Sequence, residues 1–450
     1  MTKPSICAIL GFLKSRVVYL TDLRLEPRLC HLLSGLEGYR VTYYYFMTQN
    51  SAKAARFDNL GLTPKILEVL QKNNFITPTP IQHQCIPQAL EGKDIVGVAQ
   101  TGTGKTLAFG LPMLQHLLSS KGQGLILLPT RELALQVDEV LNKIGRPLGL
   151  STVVLIGGAS MGLQIQTLRR NPHVIIATPG RMIDHLNQKT ASLRNMEVIV
   201  LDEADRMFDI GFMPQIVEIL KNAPTERQTL MFSATMPSAI AGLAARYMRM
   251  PLRIEVAPSG TPAANVEQEI FITSKELKLA LLEKVLADNS GQVLVFSRTK
   301  HGAKRIANNL RDIGCTAVEI HSDRTLAQRR NAMDGFKSGH YRILVATDIA
   351  ARGIDVTGIS LVVNYDLPNN SEDYVHRIGR TGRAGKFGKA ISFATQDQRN
   401  DIRQIERLIK RTIPILALPS LSPRNNIVRS NRPFQKDFRE KINFEPQRKP

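Results

Sequence analysis

Residues 198–205, VIVLDEAD, combine an apolar run with a pair of carboxylates, and the architecture of the chain can be worked out from them. The β-branched run 198–201 is typical of a fully buried strand, and Asp202 and Glu203 follow where that strand ends. Open α/β sheets bind ligands outside the carboxyl ends of their strands. Two carboxylates there suit a metal ion and a water molecule, although a solvated acidic turn fits these residues equally well.

A glycine-rich segment, AQTGTGKT at 99–106, favours the ligand site. It follows a strand-like run, 94–98, and precedes an apolar stretch suited to a helix, 107–118. Its glycines allow backbone N–H groups to face a phosphate chain, Lys105 can reach the β- and γ-phosphates, and the Thr106 hydroxyl can ligate Mg²⁺. Ala99 stands where the general motif has glycine, but the strand, loop and helix follow in the required order. The sequence therefore predicts a phosphate-binding loop.

The composition indicates a soluble multidomain protein with a polyanionic partner. At 450 residues the chain is too long for one ordinary domain, and 43% hydrophobic residues suffice for real cores. Lys and Arg exceed Asp and Glu by 59 to 39, a net charge of +20. No apolar run is long enough to span a bilayer, so we expect no membrane partner. The four cysteines are scattered and lack metal-ligand spacing, and isolated thiols of this kind are typical of a reducing compartment. We therefore expect a cytoplasmic protein, and we expect it to be a monomer.

Buried-strand runs alternate with helical stretches along most of the chain. In the first half these runs are 125–128, 153–156, 174–176, 198–201 and 229–232, and in the second half they are 293–296, 317–320, 343–345, 361–363 and 390–393. Such alternation predicts an α/β fold of two doubly wound parallel sheets.

We expect five segments. They are an irregular N-terminal extension (1–50), a nucleotide-binding domain (51–256), a linker (257–268), a second α/β domain (269–412) and a basic, disordered tail (413–450). The extension has no sustained periodicity, so we expect it to contribute nothing to the catalytic fold. It is either a flexible addition or a stretch upstream of a true start at Met47. The tail is either an RNA tether or a solvated end, and we favour the tether.

Two further groups of polar residues suit a nucleotide. Gln82 ends a proline-stiffened segment, and its amide can donate and accept at once, as an adenine edge requires, although an ordinary loop before a helix is the alternative. Arg380 and Arg383 lie three residues apart in HRIGRTGR, 376–383. These arginines either supply positive charge to a phosphate from the second domain, as an arginine finger, or form a basic nucleic-acid contact.

The order of these elements resembles that of the DEAD-box ATP-dependent RNA helicases of superfamily two, over roughly 57–412. The segments that carry the resemblance are Phe57, Gln82, the phosphate loop, PTREL (129–133), GG (157–158), TPGR (178–181), DEAD (202–205), SAT (233–235), ARGID (351–355) and HRIGRTGR (376–383). The segment RMFDIGF at 206–212 resembles the corresponding segment of the bacterial RhlE-type branch.

The resemblance implies two tandem RecA-like domains flanking a cleft, with ATP and Mg²⁺ as cofactors. Phe57 and Gln82 would contact adenine, and Asp355 the ribose. The phosphate-loop residues would be Thr101, Gly102, Thr103, Gly104, Lys105 and Thr106. Thr106 and Asp202 would hold Mg²⁺, Glu203 would orient the attacking water, and Arg380 and Arg383 would stabilise the transition state. The RNA backbone would contact Arg131, Gly158, Thr178, Arg181, Arg329 and Thr347. Ser233 and Thr235 would couple the two sites.

The implied function is RNA-stimulated ATP hydrolysis with local separation of RNA duplexes and little sequence preference. An ATP-gated RNA clamp or chaperone scaffold that unwinds little is the alternative, and a DNA-directed helicase is disfavoured by the Gln82 segment and by the Ala204-Asp205 ending. The resemblance makes ribosomal or RNA-decay assemblies candidate partners. Asn74 replaces a glycine of the family pattern, and Leu326 replaces a polar RNA contact. We therefore expect a weaker grip on RNA without loss of activity.

Overall fold

A computed structural model describes residues 56–100, 102–256, 266–351, 356, 358–382 and 387–421. The predicted extension (1–50) and most of the predicted linker and tail lie outside these residues, and so do three predicted site residues, Thr101, Asp355 and Arg383. All described residues belong to one structural unit.

Seven parallel strands form the first sheet. They are β1 (Ile95–Val98), β2 (Gln123–Leu127), β3 (Thr152–Leu155), β4 (Val174–Ala177), β5 (Met196–Leu201), β6 (Gln228–Ser233) and β7 (Leu252–Glu255). Their order across the sheet is β3-β4-β2-β5-β6-β1-β7. Nine helices accompany them among the described residues: α1 (Pro64–Lys72), α2 (Pro80–Leu90), α3 (Lys105–Ser119), α4 (Arg131–Gly145), α5 (Met161–Leu168), α6 (Pro179–Asn187), α7 (Ala204–Asp209), α8 (Met213–Asn222) and α9 (Ser238–Tyr247).

The second sheet repeats this plan. Its seven parallel strands are β8 (Val266–Ile272), β9 (Gln292–Phe296), β10 (Ala317–Ile320), β11 (Ile343–Ala346), β12 (Ile359–Asn364), β13 (Gly388–Ala394) and β14 (Ile415–Leu416). The order is β10-β11-β9-β12-β13-β8-β14. Its described helices are α10 (Lys278–Ala287), α11 (Lys300–Asp312), α12 (Leu326–Lys337), α13 (Asp348–Ala351), α14 (Ser371–Ile378) and α15 (Arg399–Ile409). Short 3-10 helices occupy Phe57–Leu60 and Arg146–Leu148 in the first domain and Gln396–Gln398 in the second.

Both faces of each sheet are buried, which explains the uninterrupted apolar runs in the sequence. In β5, Val200 belongs to the apolar cluster on one face, whereas Ile199 and Leu201 belong to the cluster on the other. Alternation along the strand therefore distributes one continuous run between two cores. The predicted pair of doubly wound parallel sheets is confirmed. No helix in the described part of the chain is long and apolar enough to cross a membrane.

The predicted limits of the second domain are wrong at both ends. β8 begins at Val266, inside the predicted linker, and β14 lies inside the predicted tail, where Ile413 is also buried. β8 mixes Glu and Gln with apolar residues, and β14 is a two-residue edge strand whose side chains are partly exposed. Neither has the solid apolar run that identified the central strands.

The strand order brings the polar loops together. β1, β6 and β5 are neighbours, so the loop after β1, the SAT segment and Asp202 all emerge at one edge of the first sheet. Threonine side chains fix the first residue of two helices. One helix is α4, next to this edge of the first sheet, and the other is α12, in the second domain. Thr130 accepts a hydrogen bond from the Leu133 N–H at the start of α4, and Thr325 forms a capping box with Gln328 at the start of α12.

Candidate active site and inter-domain cleft

The phosphate loop has the backbone of an anion-binding turn. Gly102 and Gly104 have φ values of 84° and 88°, in the left-handed region that favours glycine. A Cβ at Gly104 would lie 2.4 Å from the Gln82 Nε2 atom, so no side chain fits there. The Thr103 hydroxyl donates to the Gln100 carbonyl at 2.7 Å and braces the turn. α3 then begins at Lys105, with its N-terminus towards the loop.

Lys105 is a buried cation without a hydrogen-bond partner among the described residues. Its side chain is 6% exposed, and its Nζ lies 3.7 Å from the Asp202 Oδ1 atom, an ion-pair distance too long for a hydrogen bond. A buried ammonium normally uses its three donors, because leaving them unmade costs free energy. The oxygens of a bound phosphate would supply the missing acceptors. The residues of this loop therefore fit a nucleotide phosphate.

Asp202 and Glu203 leave β5 in a strained conformation. Glu203 is a buried non-glycine residue with φ of 53°, and its N–H donates to the Asp202 Oδ1 atom at 2.9 Å. Burial raises the pKa of Asp202 to about 6, although Lys105 acts in the opposite direction. A carboxylate that is short of solvation beside a phosphate loop suits a divalent cation.

Asp205 joins the carboxylate segment to the SAT segment. Its Oδ2 atom accepts hydrogen bonds from the Ala234 N–H at 3.1 Å, the Thr235 N–H at 2.9 Å and the Thr235 hydroxyl at 3.0 Å. The Ser233 hydroxyl in turn accepts from the Asp205 N–H at 3.2 Å. The structure thus brings together the two predicted coupling residues, Ser233 and Thr235, through a side chain that the sequence analysis gave no role.

The two predicted adenine residues are both buried, and Gln82 contacts the phosphate loop. Gln82 is buried, accepts from the Thr79 N–H at 2.9 Å and donates to the Gly104 carbonyl at 2.9 Å. Phe57 is 3% exposed and packs in the apolar cluster of the first domain. In this structure Gln82 therefore ties its own segment to the phosphate loop, and adenine contact by Gln82 and Phe57 stays a prediction.

An ion pair crosses the cleft on the nucleotide side. The Arg206 guanidinium, at the start of α7, contacts the carboxylates of Asp209 and of Asp373 on α14. Burial acts to lower the pKa of Arg206, but Asp373 and the neighbouring acidic residues raise it overall. Arg206 stays charged and links the carboxylate segment directly to the second domain. No spacing in the sequence predicts this contact, because Arg206 and Asp373 lie 167 residues apart.

The HRIGRTGR segment is held by Arg377, which the analysis did not single out. Arg377 binds both carboxylate oxygens of Asp348, at 2.5 and 2.7 Å, and donates to the Asn364 Oδ1 atom at 3.1 Å. This bidentate contact positions Arg380, which is 5% exposed and lines a small recess together with Arg206 and Asp373. The structure therefore places Arg380 beside the cross-cleft ion pair.

The predicted RNA residues of the first domain converge on one turn. A Cβ at Gly158, whose φ is 79°, would lie 2.5 Å from the Arg131 Nη1 atom. Arg181 donates to the Ala159 carbonyl at 3.3 Å, and Thr178 directly precedes the helix that carries Arg181. In the second domain, the predicted contact Thr347 precedes α13, where its carbonyl accepts from Ala350 and Ala351. Contact of these residues with RNA stays a prediction.

A second cross-cleft contact lies at the start of α12. The Arg329 Nη2 atom is 2.8 Å from the Glu132 Oε2 atom of α4, and the two side chains are 10% and 11% exposed. Leu326, one turn earlier, packs against the apolar cluster of the first domain. Leu326 thus adds an apolar inter-domain contact at the position where the family pattern has a polar RNA contact, and the predicted weaker grip on RNA stays a prediction. The predicted role of Arg329 on RNA remains a prediction, but its guanidinium here is paired with Glu132.

Comparisons with known proteins agree with this arrangement. A DEAD/DEAH box helicase family model matches residues 79–243, and a helicase conserved C-terminal domain model matches residues 277–385. The chain is 44% identical to the DEAD-box ATP-dependent RNA helicase CshA of Bacillus cereus over 368 residues, 81% of this chain and 70% of the relative. It is 41% identical to the ATP-dependent rRNA helicase RRP3 of Debaryomyces hansenii over 403 residues, 88% and 84% of the two chains.

Two solved structures have the same overall arrangement. One is S. cerevisiae Dbp5 bound to RNA and ADP BeF3, with a TM-score of 0.73 and 30% identity over 80% of this chain and 96% of that chain. The other is Mss116p bound to ssRNA and AMP-PNP, with a TM-score of 0.75 and 28% identity over 83% and 81%. Both sheets of this chain therefore adopt the paired arrangement of those complexes.

The raised pKa of Asp202 predicts a pH-dependent stability. Because the folded state holds this proton more tightly, the contribution of Asp202 to the free energy of unfolding falls as pH rises between about 4 and 6. Chemical unfolding across this range should show a difference between the parent and Asp202→Asn that changes up to about pH 6 and is constant above about pH 7. A difference that is constant throughout would contradict the assigned pKa.

The Arg329–Glu132 pair predicts that closure depends on both partners. Arg329→Met leaves Glu132 buried without a cation, and removing one partner of a buried pair usually costs more than about 1.4 kcal/mol, or tenfold. A fluorophore pair, one in each domain, should report an open population raised by about tenfold or more. Replacing both residues, with Glu132→Leu as the second change, should restore much of the closure. Equal opening in the single and double variants would show that the pair does not hold the domains.

Proposed function

Because the chain belongs to the DEAD-box ATP-dependent RNA helicases, we propose that it hydrolyses ATP in response to RNA and locally separates RNA duplexes. The observation that carries this proposal is a continuous series of contacts across the cleft. Lys105 pairs with Asp202, Asp202 accepts from the Glu203 N–H, the Glu203 carbonyl accepts from the Arg206 N–H, and the Arg206 guanidinium pairs with Asp373. A nucleotide in the phosphate loop would thus act on the position of the second domain.

The nucleotide site assigns a separate task to each side chain. ATP supplies the phosphate bond that is broken, and Mg²⁺ neutralises charge on its phosphates. Lys105 would contact the β- and γ-phosphates, while Thr106 and Asp202 would hold the metal. Glu203, a buried carboxylate directly after Asp202, would orient the attacking water. Arg380 and Arg383, which belong to the second domain, would stabilise the charge of the transition state.

The RNA site lies at the turn 157–159 and its surroundings. Arg131, Arg181 and the glycine turn offer a guanidinium pair and close backbone approach, which suit a phosphate backbone more than base edges. Two RNA-bound structures with the same arrangement support RNA as the ligand. Closure of the cleft around one strand would bend it and release its partner.

An ATP-gated RNA clamp is the second candidate. The Leu326 and Arg329 contacts favour it, because they stabilise the closed arrangement directly and would slow reopening. A clamp would bind RNA tightly with ATP and yet displace few strands.

We further propose a cytoplasmic monomer of the bacterial RhlE-like branch that acts on ribosomal or RNA-decay assemblies. The rRNA helicase among the relatives supports the first of these assemblies. A chain that sediments as a monomer and copurifies with ribosomal RNA would agree with this assignment, and a stable oligomer would contradict it.

Strand displacement separates helicase from clamp. With ATP, the helicase should release the short strand of an RNA duplex that carries a single-stranded extension, and the matching DNA duplex should neither be unwound nor stimulate ATP hydrolysis. RNA-stimulated hydrolysis without displacement would favour the clamp. Equal stimulation by DNA would contradict an RNA-directed enzyme.

Two substitutions should separate ATP binding from its hydrolysis. Lys105→Ala removes the charge that meets the phosphates and should weaken ATP binding, whereas Glu203→Gln should bind ATP normally and lower kcat by about 100-fold or more. Glu197→Gln is the matched control, because Glu197 lies in β5 but is 40% exposed and remote from the phosphate loop. Normal turnover by Glu203→Gln would show that Glu203 does not orient the water.

A further inference from the structure

Helix α15 has one apolar face and one strongly basic face. Ile402, Ile405 and Ile409 are buried in the apolar cluster of the second domain, which fixes the orientation of the helix. The opposite side carries the basic stripe, which we define as Arg399, Arg403, Arg407, Lys410 and Arg411. All five of these residues are exposed.

The stripe is electrostatically unfavourable for the helix itself. Arg399, Arg403 and Arg407 are spaced four residues apart, and like charges at this spacing destabilise a helix by about 0.2–0.5 kcal/mol per pair. Arg399 also lies in the first turn, where the helix dipole disfavours a cation. Lys410 and Arg411, at the opposite end, are favoured by the dipole. Helix stability therefore explains the last two cations but not the first three.

No carboxylate of the described residues neutralises the stripe. In the part of the chain that the structure describes, no Asp or Glu oxygen lies within 4 Å of these five cations. Arg399 and Arg403 donate hydrogen bonds to the side-chain amide oxygens of Gln396 and Asn400, at 3.2 and 3.5 Å. The nearby Glu406 accepts from the Ile413 N–H at 2.9 Å and so caps the chain beyond the helix.

The cations converge on a recess that is separate from the cleft. Arg403, Arg407, Lys410 and Arg411 line it with Glu406 and Thr412. Arg399 to Arg407 extend about 12 Å along the helix at 1.5 Å per residue, so the stripe presents a linear series of donors. A linear series of cations suits a linear polyanion, and the apolar face that membrane insertion would need is buried in the domain.

The stripe is close to the RNA-dependent machinery. Leu408, on the other side of α15, lines an inter-domain pocket with Thr235 and His376. We propose that the basic stripe of α15 is a second binding site for the RNA backbone, outside the cleft. This inference rests on the proposed function and adds a contact that would hold RNA next to the cleft between cycles of closure.

The test compares a short and a long RNA on the full chain. An RNA of about 10 nucleotides fills the cleft alone, whereas one of about 40 nucleotides reaches both sites. Arg403→Glu with Arg407→Glu should leave short-RNA affinity and short-RNA-stimulated hydrolysis unchanged. For the long RNA, it should lower affinity by about tenfold or more and reduce the slope of log K against log salt by about 1.4, or about 0.7 per lost contact on a single strand.

Two further variants serve as controls. Arg403→Lys with Arg407→Lys keeps the charge and should keep long-RNA affinity and its salt dependence. Lys143→Glu with Lys284→Glu changes the net charge as much as the Glu pair does, at exposed lysines that are paired with Glu139 and Asp288. This second control should reduce the salt slope by much less than the stripe variant.

Several results would overturn the proposal. One is a stripe variant whose slope of log K against log salt is unchanged for the long RNA. Another is a stripe variant that loses affinity equally for both RNAs. A third is a stripe variant that no longer binds anionic lipid vesicles but still binds the long RNA. A parent chain whose hydrolysis ignores the short RNA, but whose long-RNA affinity still depends on the stripe, would contradict the proposed function and support this site.

Discussion

The buried charges at the carboxyl edge of the first sheet are the constraint on which the rest of the structure depends. Lys105, Asp202, Glu203, Asp205 and Arg206 are each no more than 6% exposed. Removing such groups from water is costly unless each finds a partner, and Lys105 has no hydrogen bond among the described residues. The two-sided apolar packing of the sheet offsets this cost. This packing holds the charged side chains in place, so that a bound phosphate and its metal ion can supply their missing partners.

The sequence predicted the elements that have strong local signals. The central strands are solid β-branched runs, and the phosphate loop combines glycines with Lys105 between a strand and a helix, so both were identified without tertiary information. β8 and the edge strand β14 were missed because β8 mixes exposed polar residues with its apolar ones and β14 is only two residues long. The apolar pattern that identifies a strand is therefore strongest where the strand is fully buried, and strand prediction is weaker where burial is partial.

The cross-cleft contacts could not be predicted for a different reason. Arg206 and Asp373 are 167 residues apart, and Glu132 and Arg329 are similarly remote, so no spacing rule connects them. The family pattern predicts an RNA contact for Arg329, but its pairing with Glu132 depends on how the two domains meet. Leu326 illustrates the same limit. As a residue in a motif it is a lost polar contact, whereas in the folded chain it is an apolar contact with the first domain.

The two cross-cleft contacts lie in different functional neighbourhoods. Arg206–Asp373 adjoins the carboxylates of the nucleotide site, and Glu132–Arg329 adjoins Arg131 at the turn assigned to RNA. A ligand that favours the closed arrangement at one contact also favours it at the other, because both contacts form in the same domain movement. Linkage makes this effect reciprocal, so the factor by which nucleotide raises RNA affinity equals the factor by which RNA raises nucleotide affinity. Apolar packing of Leu326 stabilises the closed arrangement without either ligand. It therefore raises the affinity of the chain for both nucleotide and RNA, and it lowers the factor by which one ligand raises the affinity for the other. This is the physical basis on which one chain can shift from helicase towards clamp.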